Sequence, residues 1–188
     1  DGIVAQVNQG KVFERLGVVG KAPRGAIAYK FPAKEATTVV LDIIVQVGRT
    51  GTLTPVAHLR PVEIGGVTVS RATLHNMDEI KRIDIRIGDT VVVQRAGDVI
   101  PQVTEVLKRL RPQRAQEFHM PKKCPICGSS VLHKGGEVAY RCSNKNCAAI
   151  QREKIYHFVS KNAFDIQGLG PKIIDALLDN GLIRSAPD

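Results

Sequence analysis

All four cysteines of the chain fall in one short stretch. They form two close pairs, Cys124-Pro125-Ile126-Cys127 and Cys142-Ser143-Asn144-Lys145-Asn146-Cys147, with fourteen residues between the pairs. Zinc takes four soft ligands at tetrahedral corners, and each short loop can supply two thiolates. The spacing therefore predicts a structural zinc site on Cys124, Cys127, Cys142 and Cys147. Four thiolates leave no open coordination position, so such a metal organises the chain and does no chemistry. Gly128 lets the first loop turn, and Lys122, Lys123, Arg141 and Lys145 offset the charge of a tetrathiolate centre. Two other readings of the cysteines exist. Two disulfides would suit an oxidising compartment, which nothing in the sequence marks. A redox pair at Cys124 and Cys127 would need a thioredoxin-like βαβ setting, which is missing here. His119 and His133 are read as solvated bystanders.

A second pattern is Ile166-Gln167-Gly168-Leu169-Gly170-Pro171, just before a helical stretch that starts at Lys172. Two glycines let backbone amides approach a phosphate, and a helix N-terminus adds partial positive charge. Gly168, Gly170 and Lys172 are thus candidates for gripping a nucleic-acid backbone in a helix-hairpin-helix element; an ordinary helix-helix turn is the plainer reading. Composition agrees with a polyanionic partner: Lys and Arg number 27 against 18 acids, a formal charge of +9. Aromatics are only 4% and Trp is absent, which argues against a single-strand binder built on base stacking and favours a duplex. No stretch is apolar for long enough to span a bilayer. The start, Asp1-Gly2-Ile3-Val4, is no signal peptide and lacks an initiating Met, so a fragment of a cytoplasmic protein is expected.

The elements that must carry these groups can be read in order. Residues 1–32 hold strands near Gly2–Val7 and Ala26–Phe31 around a helix over Lys11–Leu16, stopped by Gly17. That is too little to bury a core, so it reads as the edge of a larger domain. Residues 33–120 read as a small β-barrel with OB-type strand content. Val39, Leu41, Ile43, Val45 and Val47 alternate as one buried face, Gly65-Gly66 centres a hairpin, and Asn76 or Asp78 caps a short helix through Ile83. Residues 108–123, which lead from the barrel into the cysteines, read as a basic linker with Arg109, Arg111, Arg114, Lys122 and Lys123. Residues 121–148 are the zinc module, and residues 149–188 are helical, with Ile155, Phe158 and Val159 on one face. The expected class is multidomain, mainly β and then α.

Several strings in one order carry a resemblance. Asp1-Gly2-Ile3-Val4 resembles nucleotidyltransferase motif IV and Tyr29-Lys30-Phe31-Pro32-Ala33 resembles motif V. Val47-Gly48-Arg49-Thr50-Gly51-Thr52-Leu53-Thr54-Pro55-Val56-Ala57, Ala72-Thr73-Leu74-His75-Asn76 and Arg95-Ala96-Gly97-Asp98-Val99-Ile100-Pro101 follow, then the cysteines and the glycine turn. Together they resemble bacterial NAD-dependent DNA ligases over essentially the whole chain. The resemblance implies the end of an adenylation domain, an OB domain, a zinc finger and the start of a helix-hairpin-helix domain. It implies an enzyme of replication and repair that seals nicks in duplex DNA, joining 3′-hydroxyl and 5′-phosphate ends, as a monomer at the bacterial nucleoid. NAD and Mg²⁺ would serve the full-length enzyme. Lys30 would be the catalytic lysine that contacts phosphate, and Lys30 and Gly2 would bind the cofactor. Arg49 and Arg95 would grip DNA around the nick. Val99 and Ile100 would lie against the minor groove, with barrel core as the competing reading of equal weight. His75 and Asn76 read as loop residues at the helix start rather than as DNA contacts.

Two departures bear on activity. No K-x-D-G string, which carries the family's nucleophilic lysine, occurs in these residues, nor does an NAD-binding N-terminal domain or a BRCT domain. The isolated chain is therefore expected not to adenylate itself. Gln6 stands where motif IV ends in lysine, keeping a donor but losing a charge. The alternatives at this stage are a non-catalytic clamp or ligase remnant that binds nicked duplex, and an unrelated OB and zinc-ribbon protein of translation. The glycine turn and Lys30-Phe31-Pro32 speak against the last.

Overall fold

The computed structural model describes residues 2–95 and 100–185. At the N-terminal end, β1 (Gly2–Gln6) leads through helix α1 (Gly10–Leu16) and the short strands β2 (Val18–Val19) and β3 (Ala22–Pro23) to β4 (Ala26–Lys30). Gly17 closes α1 at φ 69°, the left-handed value that a side chain resists. β1 and β4 pair antiparallel, with Gly2 opposite Lys30 and Gln6 opposite Ala26. Cross-strand partners share a face. Lys30 and Gln6 thus stand on the same side of the ribbon, separated by Val4 and Ala28, while Ile3, Tyr29 and Ile27 stand on the other. Ile3, Ile27 and Tyr29 are all well exposed, so this ribbon buries no core of its own.

The central unit is a closed barrel. It comprises β5 (Lys34–Val47), β6 (Thr52–Ile64), β7 (Val67–Thr73), helix α2 (Met77–Ile83), the short β8 (Arg86–Ile87), β9 (Thr90–Arg95) and β10 (Gln102–Val106). Five strands close a ring in the order β5, β6, β7, β10, β9 and back to β5. The pair that closes it is parallel and short, Gln102 against Thr73, and α2 sits between the third and fourth ring strands. This is the OB arrangement expected from the sequence. Val40, Ala57, Leu59, Leu74, Val91 and Val93 are essentially inaccessible at its centre. The hairpin joining β6 to β7 turns on Gly65 and Gly66, at φ 62° and 81°, the pair of positive values that a two-residue turn needs. Asn76 caps α2, its side chain accepting from the Glu79 amide at 2.9 Å.

The alternation expected along β5 does not run unbroken. Thr38, Val40, Ile43 and Val47 are buried, whereas Leu41 is 52% exposed. The register against β6 slips between Val40 and Asp42, so Leu41 sits at a bulge and the inward set changes from even to odd positions there.

The span read as a basic linker is fixed to the barrel instead. After a 3₁₀ turn at Lys108–Leu110, Arg111 donates from Nε to Asp89 Oδ1 at 2.8 Å and from Nη2 to Asp89 Oδ2 at 3.0 Å. It also donates to the Asp84 carboxylate at 3.0 Å and to the Asp84 carbonyl. Asp89 is wholly buried, and a buried carboxylate without a partner is strongly unfavourable. Arg111 therefore serves as its counter-ion. β11 (Gln116–Glu117) then pairs with β8.

β12 (Val131–His133) and β13 (Tyr140–Cys142) form the cysteine-module hairpin, and β13 adds to the outer edge of β6. One seven-stranded sheet thus runs from the module through the ring. Helix α3 (Ala148–Val159) starts on the last cysteine and packs on α4 (Pro171–Asp179) through Ile155, Val159 and Ile174.

Candidate metal centre and nucleic-acid interface

Backbone hydrogen bonds shape both cysteine loops. The Gly128 amide donates to the Cys124 carbonyl at 2.9 Å, with Gly128 at φ 71°, and the Cys124 amide donates to the Ser129 carbonyl at 2.8 Å. In the second loop the Cys147 amide donates to the Asn144 carbonyl at 3.1 Å, and Asn144 Oδ1 accepts from the Asn146 amide at 2.9 Å. The result gathers four sulfurs within 4.8 Å of one another. Cys124 and Cys147 Sγ lie 3.9 Å apart, and Cys127 and Cys142 Sγ 3.5 Å apart. A zinc ion bonded to sulfur at about 2.3 Å sets tetrahedral corners about 3.8 Å apart, so the four residues fit the ion. All four are free thiols, so neither disulfide of the alternative reading is formed.

The surroundings prepare these thiols unequally. Hydrogen bonds from Ser129 pull Cys127 down to about 6, whereas burial pushes Cys142 up to about 12. Burial also raises Cys147, but the amides of Ala149 and Ile150 at the start of α3 bond its sulfur and work the other way. Placing a metal-bound thiolate at a helix N-terminus relieves part of the negative charge that a tetrathiolate concentrates. His133 stacks on Tyr140 at 4.2 Å and is outside the cluster, as expected of a bystander.

The module is built into the barrel. Val47, Leu53 and Ile150 share an apolar cluster with Cys124, Cys142 and Cys147. Val47 and Leu53 are partners at the foot of the turn that joins β5 to β6, and that turn carries Arg49, which is exposed. Beside it a groove runs between the barrel and the first cysteine loop, lined by Val56, Arg71, Thr73, Ile100 and Ile126. Ile100 is 71% exposed, so it is no part of the barrel core. Val99 lies outside the described residues. Arg95 ends β9, half-buried, on the strand that pairs with Lys34. His75 sits at φ 56° with Nε2 3.4 Å from Gln102 Oε1, and Asn76 serves as the α2 cap, matching their reading as loop residues.

The other expected site residues do not line this groove. Lys30 is exposed at the end of β4, opposite Gly2. Gly2 is required there, because a Cβ would come 2.4 Å from the Tyr29 carbonyl oxygen. Gly168 lies at φ 82°, and Gly170 caps α4 without any side-chain cap, its carbonyl accepting from the Ile173 and Ile174 amides at 3.0 and 3.1 Å, next to Pro171, which has no amide hydrogen, and exposed Lys172. Sequence reasoning missed Ile126 on the groove and the Arg152–Asp175 pair at 3.3 Å that ties α3 to α4, joined by Tyr156 donating to Asp175. An i, i+4 repeat of Arg152 and Tyr156 on one helix face was the available signal.

Comparison with known proteins follows this geometry. Residues 1–34 match the NAD-dependent DNA ligase adenylation domain, residues 37–115 its OB-fold domain and residues 123–149 its C4 zinc finger domain. Proteins named DNA ligase from Halothermothrix orenii and Saccharophagus degradans are 58% and 56% identical to the chain over 189 residues. One from Thermomicrobium roseum is 54% identical over 188. Each alignment covers 100% of this chain but only 28%, 28% and 27% of the relative, so the chain spans little more than a quarter of their length.

Proposed function

Taking as premise that this chain belongs to the NAD-dependent DNA ligase family, we propose that it is the DNA-gripping segment of an enzyme that seals nicks in duplex DNA. The observation that carries this reading is the run of three ligase domains in order along one chain. On this reading the parent joins a 3′-hydroxyl to a 5′-phosphate in replication and repair, acting as a monomer at the bacterial nucleoid. NAD supplies the adenylate in the family's chemistry, Mg²⁺ neutralises phosphate charge, and zinc on the four cysteines holds the module's fold. The units are 1–32, 33–120, 121–148 and 149–188.

Lys30 offers a compact cation with several donors to an adenylate phosphate, and its cross-strand partner Gly2 adds no side chain beside it. Arg49 and Arg95 neutralise backbone phosphates around the nick. Val99 and Ile100 meet the minor groove. Gly168, Gly170 and Lys172 hold a more distant phosphate through amides and one charge. Positioning and charge neutralisation are what phosphoryl transfer asks of a protein. The isolated chain carries no K-x-D-G lysine and so does not adenylate itself.

Gln6 favours a second reading, a clamp on nicked duplex without catalysis, because it removes a cation from the Lys30 face. Titration with fluorescent nicked and intact duplex, before and after zinc chelation, tests the grip. Tighter binding to the nicked duplex, weakened by chelation, is expected; equal or negligible binding to both would overturn it. Incubation with adenylate-labelled NAD should leave the chain unlabelled.

A further inference from the structure

We infer that Gly51 and Ile150 are positioning residues for Arg49, so that the cysteine module sets the aim of a barrel arginine it does not touch. This rests on the reading that Arg49 contacts DNA. The turn is closed internally by the Gly48 amide donating to the Thr52 carbonyl at 2.9 Å and the Gly51 amide donating to the Gly48 carbonyl at 2.8 Å. Those bonds fix its curvature but not its tilt relative to the barrel.

The tilt is set from the module side. The Cys142 amide donates to the Gly51 carbonyl at 2.9 Å, and β13 pairs with β6 at Arg141 opposite Thr52 and Tyr140 opposite Leu53. Arg141 Nη1 donates to Thr52 Oγ1 at 3.1 Å, and Thr50 and Thr52 hydroxyls lie 3.0 Å apart. Gly51 stands at φ 78° with Ile150 Cδ1 3.0 Å from where a Cβ would be, so the Ile150 side chain closes directly on the turn. Ile150 is in turn buried, in the first turn of the helix that starts on Cys147. Two cysteines of the metal set thus hold the turn, Cys142 through its backbone and Cys147 through Ile150. Arg49 lies two residues from Gly51, on the exposed rim. A long side chain can meet a phosphate repeatedly only if its backbone root is held, since otherwise ordering it offsets the contact.

The test is a double-mutant cycle on the whole chain, with nicked duplex as ligand. In the native background Arg49→Ala should weaken binding about tenfold or more, as for a lost charge-assisted hydrogen bond, and lower the salt slope by about one. In an Ile150→Ala background, checked to retain zinc by metal analysis, the same change should weaken binding less than about threefold. Ile150→Val, which removes only the Cδ1 that faces Gly51, should give an intermediate value and serves if the alanine variant unfolds. Amide exchange at Gly51 should speed up in both Ile150 variants while the barrel strands keep their protection. An equal Arg49→Ala effect in both backgrounds would overturn the positioning role while leaving the DNA contact intact. No Arg49→Ala effect in the native background would overturn the contact itself, and the inference with it.

Discussion

Replacing Arg111 by Met should unfold the barrel's most exacting polar site. The side chain makes two hydrogen bonds to Asp89, whose carboxylate is wholly buried and, among the described residues, otherwise accepts from the Arg86 amide at 2.8 Å. Its bond to the Asp84 carboxylate is half in solvent and adds less than about 1 kcal/mol. Stranding one member of a buried pair costs about 3–5 kcal/mol, so a loss near the lower end is expected, about 3–4 kcal/mol. Urea unfolding followed by far-ultraviolet circular dichroism reads it directly, since the chain has no Trp. Pairing the change with Asp89→Asn removes the stranded charge, and the two losses should fall short of additivity by at least about 2 kcal/mol. A loss below about 1 kcal/mol for Arg111→Met, with an unchanged slope in urea, would refute the reasoning. The same clasp gives an acid signature. Hydrogen bonds from Arg111 and then Lys108 hold the Asp84 carboxyl down to about 2 from 3.8. A lowered folded value means that its stabilisation is complete above about 3.8 and is lost as pH falls through about 2. Melting temperatures between those limits should fall more steeply for the native chain than for Arg111→Met.

Three further outcomes are expected. Metal analysis should find one zinc per chain, and Cys147→Ala should lose it together with β13 pairing, read as faster exchange at the Cys142 amide; a zinc-free native chain with full protection would contradict this. Gly66→Ala meets no neighbour but must hold φ 81°, so it should cost about 1–2 kcal/mol, and Gly66→Asn clearly less. Burial, then the Asp175 hydrogen bond, pushes the Tyr156 phenol up to about 12 from 10.0, so its stabilisation is present below about 10 and is lost as pH rises through about 12. Ultraviolet titration should show one of the three tyrosines ionising late, and Tyr156→Phe should remove that step.

What the sequence disclosed follows from how local each constraint is. Metal ligation forces close spacing, so the four cysteines spoke for themselves; so did the Gly65-Gly66 turn, while the helix cap was narrowed to Asn76 or Asp78 and the structure gives it to Asn76. The phase of β5 was hidden because Val39 to Val47 is apolar at nearly every position, which leaves nothing to mark a bulge at Leu41. Arg111 sits among other basic residues and meets a carboxylate 22 positions earlier, so a counter-ion resembled a linker. The joining of β13 to β6 links positions 89 apart, Thr52 and Arg141, and only the folded barrel offers that edge. Lys30, Arg49 and Lys172 were chosen by motif, and their distance from one another along the fold belongs to no local pattern.

Among the described residues the ring of the barrel is closed by one parallel pair, Gln102 against Thr73, supported by the Thr73 amide donating to the Pro101 carbonyl at 3.0 Å, whereas β5 and β6 share seven registered pairs. A hoop with one thin weld does not flex evenly. Its compliance gathers at the weld, and that is where Arg71, Thr73 and Ile100 line the groove. The groove can therefore change its curvature by small movements at one seam, while its other wall, carried by Ile126 of the first cysteine loop, stays as a fixed jaw.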